Sequence, residues 1–139
     1  MDEYLINQII ELKKSLNDIY KNIIPKNVMN KTEIILLLKI SEENKITPTK
    51  LSKLTGFSKS MVTMTLENLE KNNMIKKIRG NDKRVTYIIL TEKGKKYSEN
   101  IINEIKNNLG KLIKKVPKNE LDEFTKCIEK MNYFLKYLI

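Results

Sequence analysis

Arg79-Gly80-Asn81-Asp82-Lys83-Arg84 lies between two short apolar runs, Met74–Ile78 and Val85–Leu90, and holds both arginines of the chain. A Gly-Asn-Asp turn between such runs predicts a β-hairpin with a charged tip. Every other basic residue is lysine. A guanidinium is planar, always charged and weakly hydrated, so it suits phosphate forks and narrow grooves better than an ammonium does. A hairpin tip bracketed by arginines therefore points to nucleic acid.

The charge distribution agrees. The chain has 139 residues and a formal net charge of +10. Residues 45–96 carry eleven Lys and two Arg against four acids, whereas residues 1–44 carry slightly more acids than bases. A localised basic segment is the electrostatic footprint of a nucleic-acid surface. The length is that of one domain, and four Gly and three Pro argue against a β-rich or loop-rich fold. Met1-Asp2-Glu3 does not begin a secretion signal, and no apolar run approaches the ~18 residues of a membrane span. A cytoplasmic protein without a membrane partner is expected.

Helical periodicity governs the rest. Leu5, Ile6, Ile9, Ile10, Leu12, Leu16, Ile19, Tyr20, Ile23 and Ile24 form a stripe wider than one packing face needs, and Pro25 ends it. Asn30 followed by Glu33 has the spacing of a capping box, opening a helix through Ile34–Ile40 that the polar stretch 41–45 closes. Thr47-Pro48 starts a short helix carrying Leu51 and Leu54. Ser58 starts another, with Met61, Val62, Leu66 and Leu69 inward and Lys59, Ser60, Thr63, Met64 and Glu67 outward; Asn72-Asn73 ends it. Thr91 caps a long helix with Ile101, Ile102, Ile105, Leu109, Leu112, Ile113 and Val116 on one side, stopped by Pro117. A last helix carries Leu121, Phe124, Ile128, Met131, Leu135 and Leu138. The fold class is mainly α, in the order α-α-α-α-β-β-α-α.

Two short helices flanking Gly56-Phe57 match a helix-turn-helix, and the hairpin that follows makes it winged. The second helix would place Ser58, Lys59, Ser60, Thr63 and Met64 towards a major groove, with Thr49 contributing from the helix before it. Ser60 and Thr63 suit base edges, and the Met64 thioether suits a thymine methyl. Arg79, Lys83 and Arg84 of the wing would approach the minor groove. Asp82 would orient Arg84 through a charge-assisted hydrogen bond.

Asp82-Lys83-Arg84, followed by Leu90-Thr91-Glu92-Lys93-Gly94, resembles the wing and following-helix signature of the MarR family of transcriptional regulators. The resemblance extends upstream to Leu51–Ser60 and Leu66–Lys71, and in order of elements covers essentially the whole chain. It implies a homodimer in which residues 1–30 and 92–139 form a helical dimerisation region and residues 31–91 a DNA-binding lobe. It further implies sequence-specific binding to a pseudo-palindromic operator, repression, and release or modulation by a small-molecule effector. Arg84 would inherit the wing's minor-groove role. Met64 stands where many members have arginine, and Asn73 where glycine is usual; the two departures together favour an A·T-rich operator. The alternatives are a winged-helix module that binds protein and a nonspecific DNA-coating protein.

An enzyme is not expected. The chain has no histidine, hence no Ser-His triad and no histidine metal site. It has no glycine-rich phosphate loop and no cofactor signature. The single Cys127 reads as a buried structural thiol rather than a redox switch.

Overall fold

The computed structural model describes residues 2–26 and 29–138. Its elements are α1 (Asp2–Ile23), α2 (Lys31–Glu43), α3 (Pro48–Thr55), α4 (Lys59–Lys71), β1 (Ile75–Arg79), β2 (Thr86–Leu90), α5 (Glu92–Ile113) and α6 (Lys118–Leu138), in the expected order. The core is built around α2, whose Ile34, Leu36, Leu37 and Ile40 are fully buried against Leu51, Val62, Leu66, Leu69, Ile75, Ile88 and Ile101.

The caps form where the sequence places them. Asn30 Oδ1 accepts the Glu33 amide at 2.9 Å, while the Asn30 side-chain amide donates to the Glu33 carboxylate at 2.9 Å. Thr47 and Ser58 cap α3 and α4 by accepting the Lys50 and Met61 amides. However, α2 continues through Ser41, Glu42 and Glu43, beyond the expected end. Those residues are compatible with helix, and Lys39 pairs with Glu42 at 3.1 Å along the extra turn. Asn44, at φ +65°, ends it.

Helix α4 presents Val62, Thr65, Leu66 and Leu69 to the core. Met61, expected inside, is 40% exposed, because it stands about a quarter-turn from that face. Thr65 takes the inner position instead. Leu54 of α3 is likewise exposed, since Leu51 alone points inward from so short a helix.

One junction binds α4, the hairpin and α5 together. Asn73 follows α4 with φ +61°, filling the left-handed conformation more often given to glycine. The Thr91 amide donates to the Met74 carbonyl at 3.0 Å, its hydroxyl donates to the Asn73 carbonyl, and its oxygen accepts the Gly94 amide at 3.0 Å. A Cβ on Gly94 would lie 2.0 Å from the Met74 carbonyl oxygen. The Leu-Thr-x-x-Gly pattern thus has a steric cause.

The hairpin pairs Ile75 with Leu90 through Arg79 with Thr86, antiparallel. The sequence reading missed a third participant: Ile46, in the α2–α3 connection, bridges Ile88 by reciprocal hydrogen bonds of 3.2 and 2.7 Å. Beside it, the Lys45 ammonium sits 4.3 Å from the centre of the Tyr87 ring. The opposite strand end packs on the same ring, where a Cβ on Gly80 would meet it at 2.7 Å.

The outer helices contrast with this centre. Neither α1 nor α6 buries a residue, and α6 makes no substantial contact with any other element among the described residues. Helix α1 lies along α5, where the Asn108 side-chain amide donates to the Ile23 carbonyl at 3.1 Å. Cys127, expected to be buried, is exposed because no other element among the described residues covers α6.

Gly94→Ala should destabilise the protein by about 1–3 kcal/mol, the usual cost of overpacking, and lower the thermal unfolding midpoint accordingly. Tyr87→Leu should accelerate hydrogen exchange at the Gly80 and Ile46 amides, whereas Tyr87→Phe should leave it unchanged, because the ring makes these contacts.

Candidate nucleic-acid interface

The turn between α3 and α4 is fixed by local hydrogen bonds. Gly56 adopts φ +77° and its amide donates to the Ser52 carbonyl at 2.9 Å. The Ser52 hydroxyl donates to the Phe57 carbonyl at 2.6 Å, and the Thr55 hydroxyl to the Leu51 carbonyl at 2.6 Å. With the inner face of α4 packed into the core, Lys59, Ser60, Thr63, Met64 and Glu67 are left exposed together. Ser58 precedes them at the helix start. Thr49 is exposed on the first turn of α3, one element earlier.

Two hydroxyls on α4 serve the helix itself. Ser58 Oγ accepts the Met61 amide at 3.2 Å and lies 3.2 Å from Ser60 Oγ. The Thr63 hydroxyl donates to the Lys59 carbonyl at 2.9 Å, so Thr63 retains accepting capacity but not its proton for a base.

At the wing, Arg79 is the last residue of β1 and Arg84 stands in the turn, so the two do not bracket the tip symmetrically. The turn closes through the Gly80 amide on the Val85 carbonyl at 3.0 Å and the Val85 amide on the Asp82 carbonyl at 2.9 Å. Asp82 accepts three hydrogen bonds from Arg84: the backbone amide at 3.0 Å, Nε at 3.2 Å and a terminal nitrogen at 3.3 Å. The Arg84 amide first, and then its guanidinium, hold the Asp82 carboxyl below the usual carboxylate range. This brace is intact at neutral pH and is lost only as pH falls through that lowered value. The Arg84 side chain is 90% exposed, so the brace orients it without hiding it. The carboxylate expected to orient Arg84 does so geometrically. Arg79, Lys83 and Arg84 are all exposed.

Sequence reasoning missed Lys45, Ile46 and Tyr87. The available signal was Ile46-Thr47 before Pro48, since a residue preceding proline is held extended and can therefore join a sheet. Glu70 of α4 also reaches Lys77 of β1, at 3.9 Å, tying helix to wing. No group of His, Cys, Asp and Glu side chains suited to a metal ion occurs among the described residues.

Comparison with known proteins accords with this geometry. Residues 18–105 match the family model described as transcriptional regulator SarA/Rot. No curated protein matches the chain. Among solved structures, Streptococcus pneumoniae FabT in complex with DNA is 24% identical, with 99% of this chain and 96% of that chain covered and a TM-score of 0.73. A mutant MarR from E. coli complexed with operator DNA is 20% identical, with 91% and 97% covered and a TM-score of 0.73. NadR in complex with 4-hydroxyphenylacetate is 13% identical, with 97% and 99% covered and a TM-score of 0.77. The MarR resemblance read from the wing is borne out in the fold, and the regulatory function by the family. The chain belongs to the SarA/Rot family of transcriptional regulators and has the winged helix-turn-helix fold of MarR proteins.

Proposed function

We propose that the protein is a cytoplasmic homodimeric repressor that binds a pseudo-palindromic, A·T-rich operator. The observation that carries this reading is the Asp82-braced, solvent-exposed Arg84 on a wing whose Ile75, Ile88 and Leu90 pack in the same small core as the inner face of α4. Helix α4 enters a major groove with Lys59, Ser60, Thr63 and Met64, and Arg84 reaches the flanking minor groove. Ser58 and the α4 N-terminus, together with Thr49, Arg79 and Lys83, meet phosphates.

Residues 31–91 form the DNA-binding lobe, and residues 1–30 and 92–139 the dimerisation region. Support for the latter comes from the apolar faces left uncovered in the protomer: Ile9 of α1, Leu112 of α5, and Phe124, Ile128 and Met131 of α6 are all more than a third exposed. Apolar stripes left exposed along three long helices mark interaction faces. The two α4 helices then sit in successive major grooves, about 34 Å apart, and occupancy covers the promoter.

The NadR neighbour binds 4-hydroxyphenylacetate. In this chain a cavity of about 380 Å³ lies where α1 meets α2, lined by Tyr20, Lys21, Lys26, Lys31 and Ile34. It sits between the dimerisation region and the lobe, and its lysines suit an anionic effector. Such a ligand releases the operator by favouring one spacing of the lobes, for which a coupling of ~1–3 kcal/mol suffices.

The test is selection of genomic fragments by the purified protein at ~200 mM salt, where nonspecific contacts are weakened. Recovery of a shared palindromic site bound by two chains is the expected result. Recovery of fragments without a shared site would favour a coating protein, and of none a protein-binding module. On the recovered site, Arg84→Ala should weaken binding by about 1–3 kcal/mol and leave the dimer intact. Lys59→Ala should instead lower affinity for all duplexes and reduce the salt slope by about one unit, measured by titration across salt concentrations.

A further inference from the structure

The exposed face of α4 offers fewer hydrogen-bonding groups than its composition suggests. Ser58 accepts the Met61 amide, Ser60 shares a hydrogen bond with Ser58, and Thr63 gives its proton to the Lys59 carbonyl. Residues 59–66 contain no Arg, Asn or Gln, and Lys59 at the helix start is their one side chain able to pair with guanine. What these two turns do present is methionine. Met64 is 61% exposed and Met61 40% exposed, on neighbouring positions of the helix surface.

Two solvent-facing thioethers need an apolar partner. The surrounding segment, residues 45–96, carries thirteen basic residues against four acids, so the partner it attracts is a polyanion. Within duplex DNA, the major groove holds one apolar recognition element, the 5-methyl group of thymine. An unbranched, polarisable methionine can adapt to that group without a fixed donor–acceptor geometry.

We propose that Met61 and Met64 are specificity-determining residues that read thymine by covering its 5-methyl group in the major groove. The inference rests on the placement of α4 proposed above and names the base feature that α4 recognises. Met64, central on the exposed face, makes the principal contact, and Met61 closes its flank.

The test uses a duplex selected by the full-length protein from a random pool, resynthesised with deoxyuridine at every thymine. Uracil keeps all hydrogen-bonding groups and lacks only the methyl. The protein should bind the thymine duplex more tightly by on the order of tenfold, as expected for one buried methyl group in each of two half-sites. Met64→Ala, whose exposed position leaves the core intact, should lose most of that preference, and Met61→Ala/Met64→Ala all of it. Met64→Leu should retain it.

Equal affinity of the unmodified protein for both duplexes would overturn the inference while leaving DNA recognition standing. An undiminished thymine preference in the alanine variants would also overturn it, because the preference would then come from duplex mechanics. A pool that yields no preferred duplex would remove the DNA-reading assignment of α4 itself.

Discussion

The Met74 carbonyl accepts the Thr91 amide at 3.0 Å, and on its other flank it leaves room for a glycine alone at position 94. Four elements meet at that contact. Asn72 and Asn73 lead to it from the end of α4, β1 starts just after it, β2 ends at Leu90, and Thr91 caps the start of α5. The hairpin cannot tilt without moving the start of α5, and α5 cannot shift without displacing the end of α4. A wing is useful to a DNA-binding protein only if its tip keeps a fixed offset from the recognition helix, and this junction sets the inner end of that offset. The Ile46–Ile88 bridge and the Tyr87 ring between Lys45 and Gly80 hold the hairpin again nearer its tip.

Order is graded outward from there. The buried side chains of α2, α3, α4 and the hairpin form one cluster, reached by α5 through Ile101. Arg84 lies beyond it, steadied by Asp82 in an exposed ion pair. Such pairs contribute little to stability. Their value here is conformational, since a side chain already oriented loses less freedom when it binds.

Much of this was legible in the sequence because caps and hydrophobic periods are local signals. Asn30, Thr47, Ser58 and Thr91 each announced a helix start through a short polar side chain able to accept an amide two or three residues on. Asp82 and Arg84 were close enough in sequence for their pairing to be anticipated. Errors arose where the deciding contact was distant or a face narrow. The Ile46–Ile88 bridge spans the whole helix-turn-helix, and no local pattern encodes it. Met61 was misplaced because an apolar residue at the border of a helical stripe can fall on either side. Polar Ser41–Glu43 suggested an end to α2, yet polarity does not stop a helix; the backbone conformation of Asn44 does. The Thr63 hydroxyl looked available for DNA because composition does not reveal that a side chain has already turned back on its own helix.

Helix α6 lies outside all of these constraints. It spans 21 residues, buries none of them and carries its apolar stripe in the open. Helices in proteins take most of their stability from packing of an apolar face, and α6 packs substantially on no other element among the described residues. Its persistence is therefore tied to whatever occupies that stripe, and by mass action to the amount of occupant present. In the proposed homodimer, the C-terminal part of this chain should respond to dilution in a way its centre does not, making the integrity of one end of the molecule a gauge of how much of the protein the cell contains.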